Sequence, residues 1–378
     1  MSAPTTGLTG MSSPRHVDIA VTGRCNLSCA YCFYADEMTS RTDLPTERWL
    51  AFFQELGNLR VMTACLTGGE AFTRPDFFEL VDGIIANHMR YSILSNGTLI
   101  NEKTLAEFEK GKRRQRLDSI QISIDGSSAE VHDHSRPSSF ERALRGLKLL
   151  NGAGLPLTVR VTINRFNYTD LESTARLLLE ELDLPGFSTN EAYPCGATNR
   201  YQDEMLLNPL QRRQVMDTLL RLNERYQDRI SASAGPLVLA QEECAIHDAQ
   251  LRGEKEFPGR GRLTACGGVF EQIAILHDGT IVPCHVISGL HLGNILTDDL
   301  GEVWRSSPLM QALRQRREIP LDTIEPCQDC NFKGYCSGGC PGGALFLNGD
   351  FNTRNPMDCY RILTGAEPYA PAEMKNQL

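Results

Sequence analysis

Along the first 200 residues, short runs of alternating apolar and polar positions take turns with longer stretches whose apolar residues recur every three to four. The short runs predict strands over 16–21, 60–66, 91–94, 119–124, 156–163 and 186–191. Between them, the longer periodicity predicts helices over 46–56, 75–87, 102–110, 139–151 and 168–182. Pro45 and Pro75 stand where helices start, and Gly57 and Gly152 where they stop. Six such alternations predict a parallel sheet with crossover helices, doubly wound or closed toward a barrel. In either case the chemistry sits at the carboxyl ends of the strands.

After a charged amphipathic pattern over 208–228 the alternation stops. From Cys266 onward the chain reads as short hairpins, glycines and cysteines, with one helical stretch over 307–317. That composition predicts a separate small domain with a modest core, of the kind that needs metal as a staple. The expected division is a flexible tail over 1–14, a β/α unit over 15–230, a bridging segment over 231–265 and a Cys-rich domain over 266–378.

At 378 residues, 41% hydrophobic and 22% charged, the composition is that of a globular protein of about two domains. No run approaches the roughly eighteen apolar residues of a membrane span. The Ser/Thr/Gly/Pro-rich start lacks the apolar segment of a secretion signal, so the expected setting is cytoplasmic. A net charge of −9 offers no general attraction to nucleic acid. The local basic run Lys112–Arg116 reads as a solvated loop.

Thirteen cysteines, an odd number in a chain without an export signal, favour metal or catalysis over disulfides. Cys25, Cys29 and Cys32 form a CxxxCxxC triplet just after the first expected strand. Iron–sulfur cubanes usually take four protein thiolates, so three leave one iron open to something else. A zinc site would lack a ligand, and no histidine sits at zinc spacing nearby; His16 precedes the strand. Three more polar loops open on the same rim: Gly68-Gly69-Glu70, Ser95-Asn96-Gly97 and Asp125-Gly126.

The triplet, with Tyr31 and Phe33 flanking its last cysteine, resembles the radical S-adenosylmethionine (SAM) superfamily. The resemblance runs over about residues 16–200. It implies a partial (β/α)6 TIM-like barrel whose open iron is chelated by the amino and carboxylate groups of SAM. The reduced cluster would then release a 5′-deoxyadenosyl radical. Gly68, Gly69 and Glu70 resemble the motif that receives the SAM amino group, with glycines that let backbone approach the ligand. By the same resemblance Ser95 and Asn96 face the ribose, with Ser123 near the same site. Arg136 clamps the carboxylate, while Tyr31 and Ile163 cradle the adenine.

The second cohort is Cys266, twelve residues, Gly279, four residues and Cys284, then Cys327-x2-Cys330-x5-Cys336-x3-Cys340 and, eighteen residues on, Cys359. This resembles the SPASM extension of radical SAM enzymes, which holds two auxiliary [4Fe–4S] clusters, for three in all. The resemblance gives Cys266, Cys284 and Cys340 to cluster I, and Cys327, Cys330, Cys336 and Cys359 to cluster II. Cluster I is then one ligand short. Cys244 is placed like an extra ligand of some relatives. Cys195, beyond the sixth strand, is a second option, and an iron left open for substrate is a third. Cys65, inside an apolar strand, reads as a core residue.

SPASM relatives mostly act on ribosomally made peptides or proteins, so the expected activity is hydrogen abstraction and oxidative maturation of such a peptide. SAM is consumed, and a low-potential donor of flavodoxin or ferredoxin type supplies electrons. With the triplet starting at residue 25, no N-terminal leader-binding module is expected. A leader would be read by a separate peptide-binding protein or by the barrel itself. Sulfatase maturases share the aromatic flank but place an aspartate base after the second SPASM cysteine; here His285 follows Cys284. His285 is the candidate base, as an imidazole titrates near neutrality, and a structural histidine is the alternative. Oxidation of a small metabolite is a further reading. A pure electron carrier is disfavoured by the SAM-directed loops.

Overall fold

Strand pairing in the computed structural model, which describes residues 11–40, 42–200, 202–245, 252–253, 261–334 and 336–367, gathers ten strands into one sheet. These are β1 (His16–Ala20), β2 (Thr63–Thr67), β3 (Arg90–Ser95), β4 (Leu117–Ser123), β5 (Leu157–Ile163), β6 (Phe187–Glu191), β7 (Ile230–Ala232), β8 (Gln272–Ile275), β9 (Thr280–Val282) and β10 (Gly293–Asn294). Their order is β10-β9-β8-β1-β2-β3-β4-β5-β6-β7. Each of β1 to β7 runs parallel to the next, β8 runs parallel to β1, and β9 and β10 close the edge as antiparallel hairpins.

The two faces of this sheet differ sharply. Val17, Ile19, Ala64, Leu66, Tyr91, Ile93, Ile120, Ile122, Val159 and Val161 share one face, with no accessible surface. They pack against Trp49, Phe53 and Leu56 of the helix Thr46–Asn58, against Leu80 and Ile84 of Phe77–Ala86, and against Leu147 and Leu150 of Phe140–Gly152. Each of the Val, Leu, Ile and Phe side chains among these contributes roughly 1.5–3 kcal/mol. The alternate positions Asp18, Cys65, Ser92, Gln121, Ser123 and Arg160 share the opposite face and are only half-buried. A parallel sheet covered on both faces reads as continuous apolar runs. Here the crossovers lie on one side only, which is the winding of a barrel, and the inner face is a polar lumen.

This geometry corrects several expectations. Cys65 does not sit in the apolar core but on the lumen face beside Ser92. The run around Arg113 is a short helix, and Arg113 itself is buried, forked between Asp82 and Glu107 and stacked over Phe78. The stretch 168–182 is not one helix; Leu171–Arg176 leads into a π-helical segment, Leu177–Glu181. Gly57 and Gly152 lie inside the last helical turns, and the left-handed residues that end those helices are Arg60 and Gly154.

The alternation does not end at 228, because β7 joins β6 and β8 joins β1. Leu300, Trp304, Met310 and Leu313 share one apolar cluster with the barrel strands. Leu300 N–H also bonds Glu55 across the two halves at 2.8 Å. Among the described residues from Cys266 on, five α-helices, Gly268–Glu271, Leu300–Ser306, Pro308–Gln315, Pro341–Asn348 and Tyr360–Leu363, stand where one was expected. No helix of the described residues is long and apolar enough to cross a membrane.

Candidate active site and cluster loops

The loop bearing Cys25, Cys29 and Cys32 leaves β1 and is tied down from four sides. Asp43 accepts from Thr22 Oγ1 at 2.6 Å and from Gly23 N–H at 2.7 Å. Gly69 N–H donates to Thr22 O and Glu70 N–H to Arg24 O, both at 2.8 Å. Ala30 N–H donates to Ser135 O, and Cys32 O accepts from Ala197 N–H. The second of these ties explains the paired glycines. A Cβ on Gly68 would stand 2.3 Å from Thr22 O, and one on Gly69 2.3 Å from Arg24 O. Gly68 also has φ +142, in the glycine region. The glycines therefore admit the backbone of the cysteine loop, where the expectation was approach to the ligand.

Glu70 is buried, its carboxylate accepting from Ser95 Oγ at 2.9 Å, Asn96 N–H at 2.8 Å and Phe72 N–H at 3.2 Å. Burial raises its pKa against the pull of those donors. Asn96 Nδ2 donates to Asn26 Oδ1, and Asn26 Nδ2 to Thr98 Oγ1. The middle of the CxxxCxxC loop is thus bound to the loop after β3. Ser95 and Asn96 stand together, with their side chains largely occupied by Glu70, Thr98 and Asn26.

The loop after β4 holds the main charge cluster. Asp125 has no accessible surface, and its Oδ1 accepts from Thr162 N–H at 2.7 Å. Its Oδ2 accepts from Tyr31 OH and from Arg136 Nε, the latter at 2.5 Å. Arg136 Nη1 lies 3.7 Å from Cys29 Sγ, and its guanidinium is 5.2 Å from the Tyr31 ring centre. Nη2 has no hydrogen-bond partner among the described residues.

A ring of hydrogen bonds fixes this arginine. Asp125 N–H donates to His132 Nδ1, so the imidazole proton is on Nε2 and points to Ser139 Oγ at 3.0 Å. Ser139 Oγ in turn donates to Arg136 O at 2.7 Å. Burial pushes the His132 pKa down to about 4, keeping the ring neutral.

Asn26, Asp43, His132 and Ser139 were not singled out from the sequence, and Asp125 was noted only as part of a polar rim loop. The Asp-Gly pair after the fourth strand marked the loop but not the partners of its carboxylate. Of the residues that were, Ser123 is half-buried at the end of β4, and Ile163 has no accessible surface. His285 is buried, its Nε2 3.2 Å from Ile275 O, edge-on to Tyr34. Burial lowers its pKa, against Asp18.

Burial pushes Cys29 up against Arg136, and pushes Cys32 to about 12 with Cys29 adding to it. Cys25 rises through burial and through Cys29. The three thiols are therefore mutual neighbours. In the second cohort burial raises Cys284 to about 12, with Cys266 and Cys340 adding, and Cys327 to about 11, with Cys359 and Cys330 adding. Cys327, Cys330, Cys336 and Cys359 line one pocket with Arg354 and Tyr360. Arg354 Nη1 is 2.9 Å from Cys359 Sγ. Cys195 is buried between the two groups, near enough to Cys284, Cys32 and Cys340 to be raised by them once burial is counted. The side chain of Cys244 lies outside the described residues.

These groupings suit cubanes. Zinc, bound at about 2.3 Å, draws its thiolates tightly around one ion. Among the described residues no three His, Cys, Asp or Glu side chains are gathered that closely. Cubane ligands each hold a different iron and stand further apart. Binding deprotonates such thiols, and the cations at Cys29 (Arg136) and Cys359 (Arg354) favour that charge.

Comparison with known proteins agrees with this reading. Residues 19–178 match the family model described as the radical SAM superfamily, and residues 266–331 match SPASM, an iron–sulfur cluster-binding domain. An AdoMet-dependent heme synthase of Methanosarcina barkeri is 25% identical over 93% of this chain and 97% of its own length. A PqqA peptide cyclase of Methylocella silvestris is 28% identical, over 89% of this chain and 85% of its own. Among solved structures, Streptococcus suis SuiB bound to precursor peptide SuiA superposes with a TM-score of 0.71 at 18% identity, covering 93% of this chain and 77% of that one. AdoMet-bound anSMEcpe does so with 0.67, also at 18% identity, covering 93% and 96%.

Proposed function

Because the chain belongs to the radical SAM superfamily and carries a SPASM domain behind its barrel, we propose that it abstracts hydrogen from a ribosomally made peptide and oxidatively modifies it. The observation that carries this is the Cys25–Cys32 loop set directly against Arg136 and Asp125 on the rim of a polar lumen. When bound, the cluster supplies one electron to the SAM sulfonium, giving methionine and a 5′-deoxyadenosyl radical. Cys25, Cys29 and Cys32 would hold that cluster.

Arg136, locked by Asp125 and the His132–Ser139 relay, keeps Nη2 for the SAM carboxylate. Glu70 is committed to Ser95 and Asn96, so the amino group falls to the backbone of the Gly68–Gly69 loop. Tyr31, held by its hydroxyl on Asp125, presents its ring beside the same site. Cys266, Cys284 and Cys340 would hold cluster I, with Cys327, Cys330, Cys336 and Cys359 on cluster II. For the vacant position on cluster I, burial beside Cys284 and Cys340 favours Cys195. The enclosure of His285 beneath Tyr34 and Ile275 favours its structural role over that of a base.

Peptide maturation draws on the PqqA cyclase relative and on the peptide-bound SuiB. A second reading, oxidation of a small molecule, is favoured by the heme synthase, 97% of whose length is matched. The test is anaerobic reconstitution with SAM and dithionite. Release of 5′-deoxyadenosine, increased by a candidate peptide, supports the proposal; its absence under all conditions sinks it. Iron near twelve per chain fits three cubanes, and near four does not.

A further inference from the structure

The geometry points to Arg160 as the anchor for a carboxylate of the substrate inside the lumen. Several arginines of the described residues are paired with carboxylates. Arg74 pairs with Asp76 at 2.8 Å, Arg113 with Asp82 at 2.6 Å, Arg212 with Glu191 at 2.5 Å, and Arg354 with Glu367. Arg314 and Arg316 give their protons to backbone carbonyls away from the lumen. Arg160 differs from the first four in lacking a carboxylate, and from Arg314 and Arg316 in standing on the lumen face. It stands on the half-buried polar face of β5, between Ser123 of β4 and Ser188 of β6.

Its contacts are neutral and weak. Nε is 3.2 Å from Gln121 Oε1, and Nη1 reaches Thr189 O only at 3.5 Å. Among the described residues Nη2 has no hydrogen-bond partner, and no carboxylate pairs with the guanidinium. Burial lowers its pKa with no anion opposing. The carboxylate that alternates onto this face among the described strands, Asp18, is on β1, four strands away, or roughly 19 Å along the sheet.

A guanidinium in this state is a preformed receptor for a carboxylate. Its planar fork offers two parallel donors, and the anion supplies the charge that Gln121 and Thr189 cannot. Its depth also fits. Arg160 lies three residues below Ile163, the last of β5, or roughly 10 Å under the rim. A substrate carboxylate held there leaves the remainder of the molecule to rise toward Asp125, Arg136 and the cysteine loop. An acidic peptide side chain, a peptide C-terminus or a carboxylated small molecule would each satisfy Arg160.

This deepens the function proposed above by naming a substrate feature, and its test does not need turnover. The reconstituted protein is treated with the arginine reagent p-hydroxyphenylglyoxal, and modification of Arg160 is followed by peptide mass spectrometry. The probes are N-acetyl-glutamate α-amide, its neutral glutamine counterpart, and SAM alone. Protection by the carboxylate probe, roughly tenfold beyond the neutral one, is expected from a charge-assisted pair. Binding of the carboxylate probe should fall by a similar factor in R160Q and recover in part in R160K. Equal protection by both amides, no protection by either, or full protection by SAM alone would overturn the inference. Release of 5′-deoxyadenosine, measured separately, reports on the radical reading and leaves this outcome independent of it.

Discussion

Arg136 donates from Nε to Asp125 Oδ2 at 2.5 Å, and the same guanidinium stands 3.7 Å from Cys29 Sγ. One buried carboxylate thereby sets the position of the cation beside Cys29 and of the Tyr31 hydroxyl. Replacing Asp125 by Ala leaves that cation unpaired inside the protein, a change that costs about 3–5 kcal/mol. D125A should therefore lower the unfolding midpoint, and SAM affinity should fall about tenfold or more. Denaturant titration and SAM binding by calorimetry read the two effects. Unchanged SAM affinity in a folded D125A would remove Asp125 from the positioning role.

His132 makes stability depend on pH. It is neutral in the fold, where burial brings its pKa from 6.5 to about 4; Asp125 and Asp133 oppose this, while Arg136 adds to it. Between those values the unfolded chain binds the proton and the native chain does not, so stability rises with pH across this window and is lost on acidification. At 1.36 kcal/mol per pH unit the loss from pH 6.5 to 4 is roughly 3 kcal/mol. Urea titrations across this range should show the slope in the parent protein and a shallower one in H132N. Identical slopes would mean that other groups carry the acid sensitivity.

The glycine pair gives a steric prediction. A methyl group on Gly69 would meet Arg24 O at 2.3 Å, a backbone atom that cannot move without shifting the cysteine loop. G69A should lose about four irons per chain, the content of one cubane, and release no 5′-deoxyadenosine. G152A is the control, since no atom lies within 4 Å of its added Cβ. It should be neutral or stabilising by up to about 1 kcal/mol. Full iron loading of G69A would show that the loop tolerates the shift.

The strands and the cysteine sets were legible because their signals are local: period-two runs such as 156–163, and spacings that need no neighbour to interpret. The paired loops after β1 to β4 followed from the same alternation. What escaped depends on partners distant in sequence. Three-residue β7 and four-residue β8 are strands only because β6 and β1 pair with them. Arg113 looked solvated because Asp82 and Glu107 meet it only in the fold. Asp125 was visible as a turn residue, but its hold on Tyr31 and Arg136 was not. Arg160 sat in plain view within Val159-Arg160-Val161. The alternation there reports a polar inner face, which was apparent only once the crossovers were seen on one side.

Arg316 carries the last prediction. Its side chain has no accessible surface, and it donates to the carbonyls of Thr264, Gly339, Phe351 and Thr353. Those carbonyls flank Cys266 and Cys340, so one guanidinium joins two cysteine loops to the segment beyond them. No carboxylate of the described residues pairs with it. Burial lowers its pKa to about 10, and Cys340 and Cys266 oppose that fall. Metal binding, which turns those cysteines into thiolates, would place their negative charge beside this guanidinium. R316K keeps the charge but cannot span four carbonyls, whereas R316Q also loses the charge. Both should weaken the region by about 1–3 kcal/mol for each acceptor left unbonded. Only R316Q should also lower an auxiliary-cluster reduction potential, since removing a nearby cation disfavours the more negative reduced state. An EPR-monitored redox titration separates the two variants. Equal potentials in R316K and R316Q would confine Arg316 to holding the loops together.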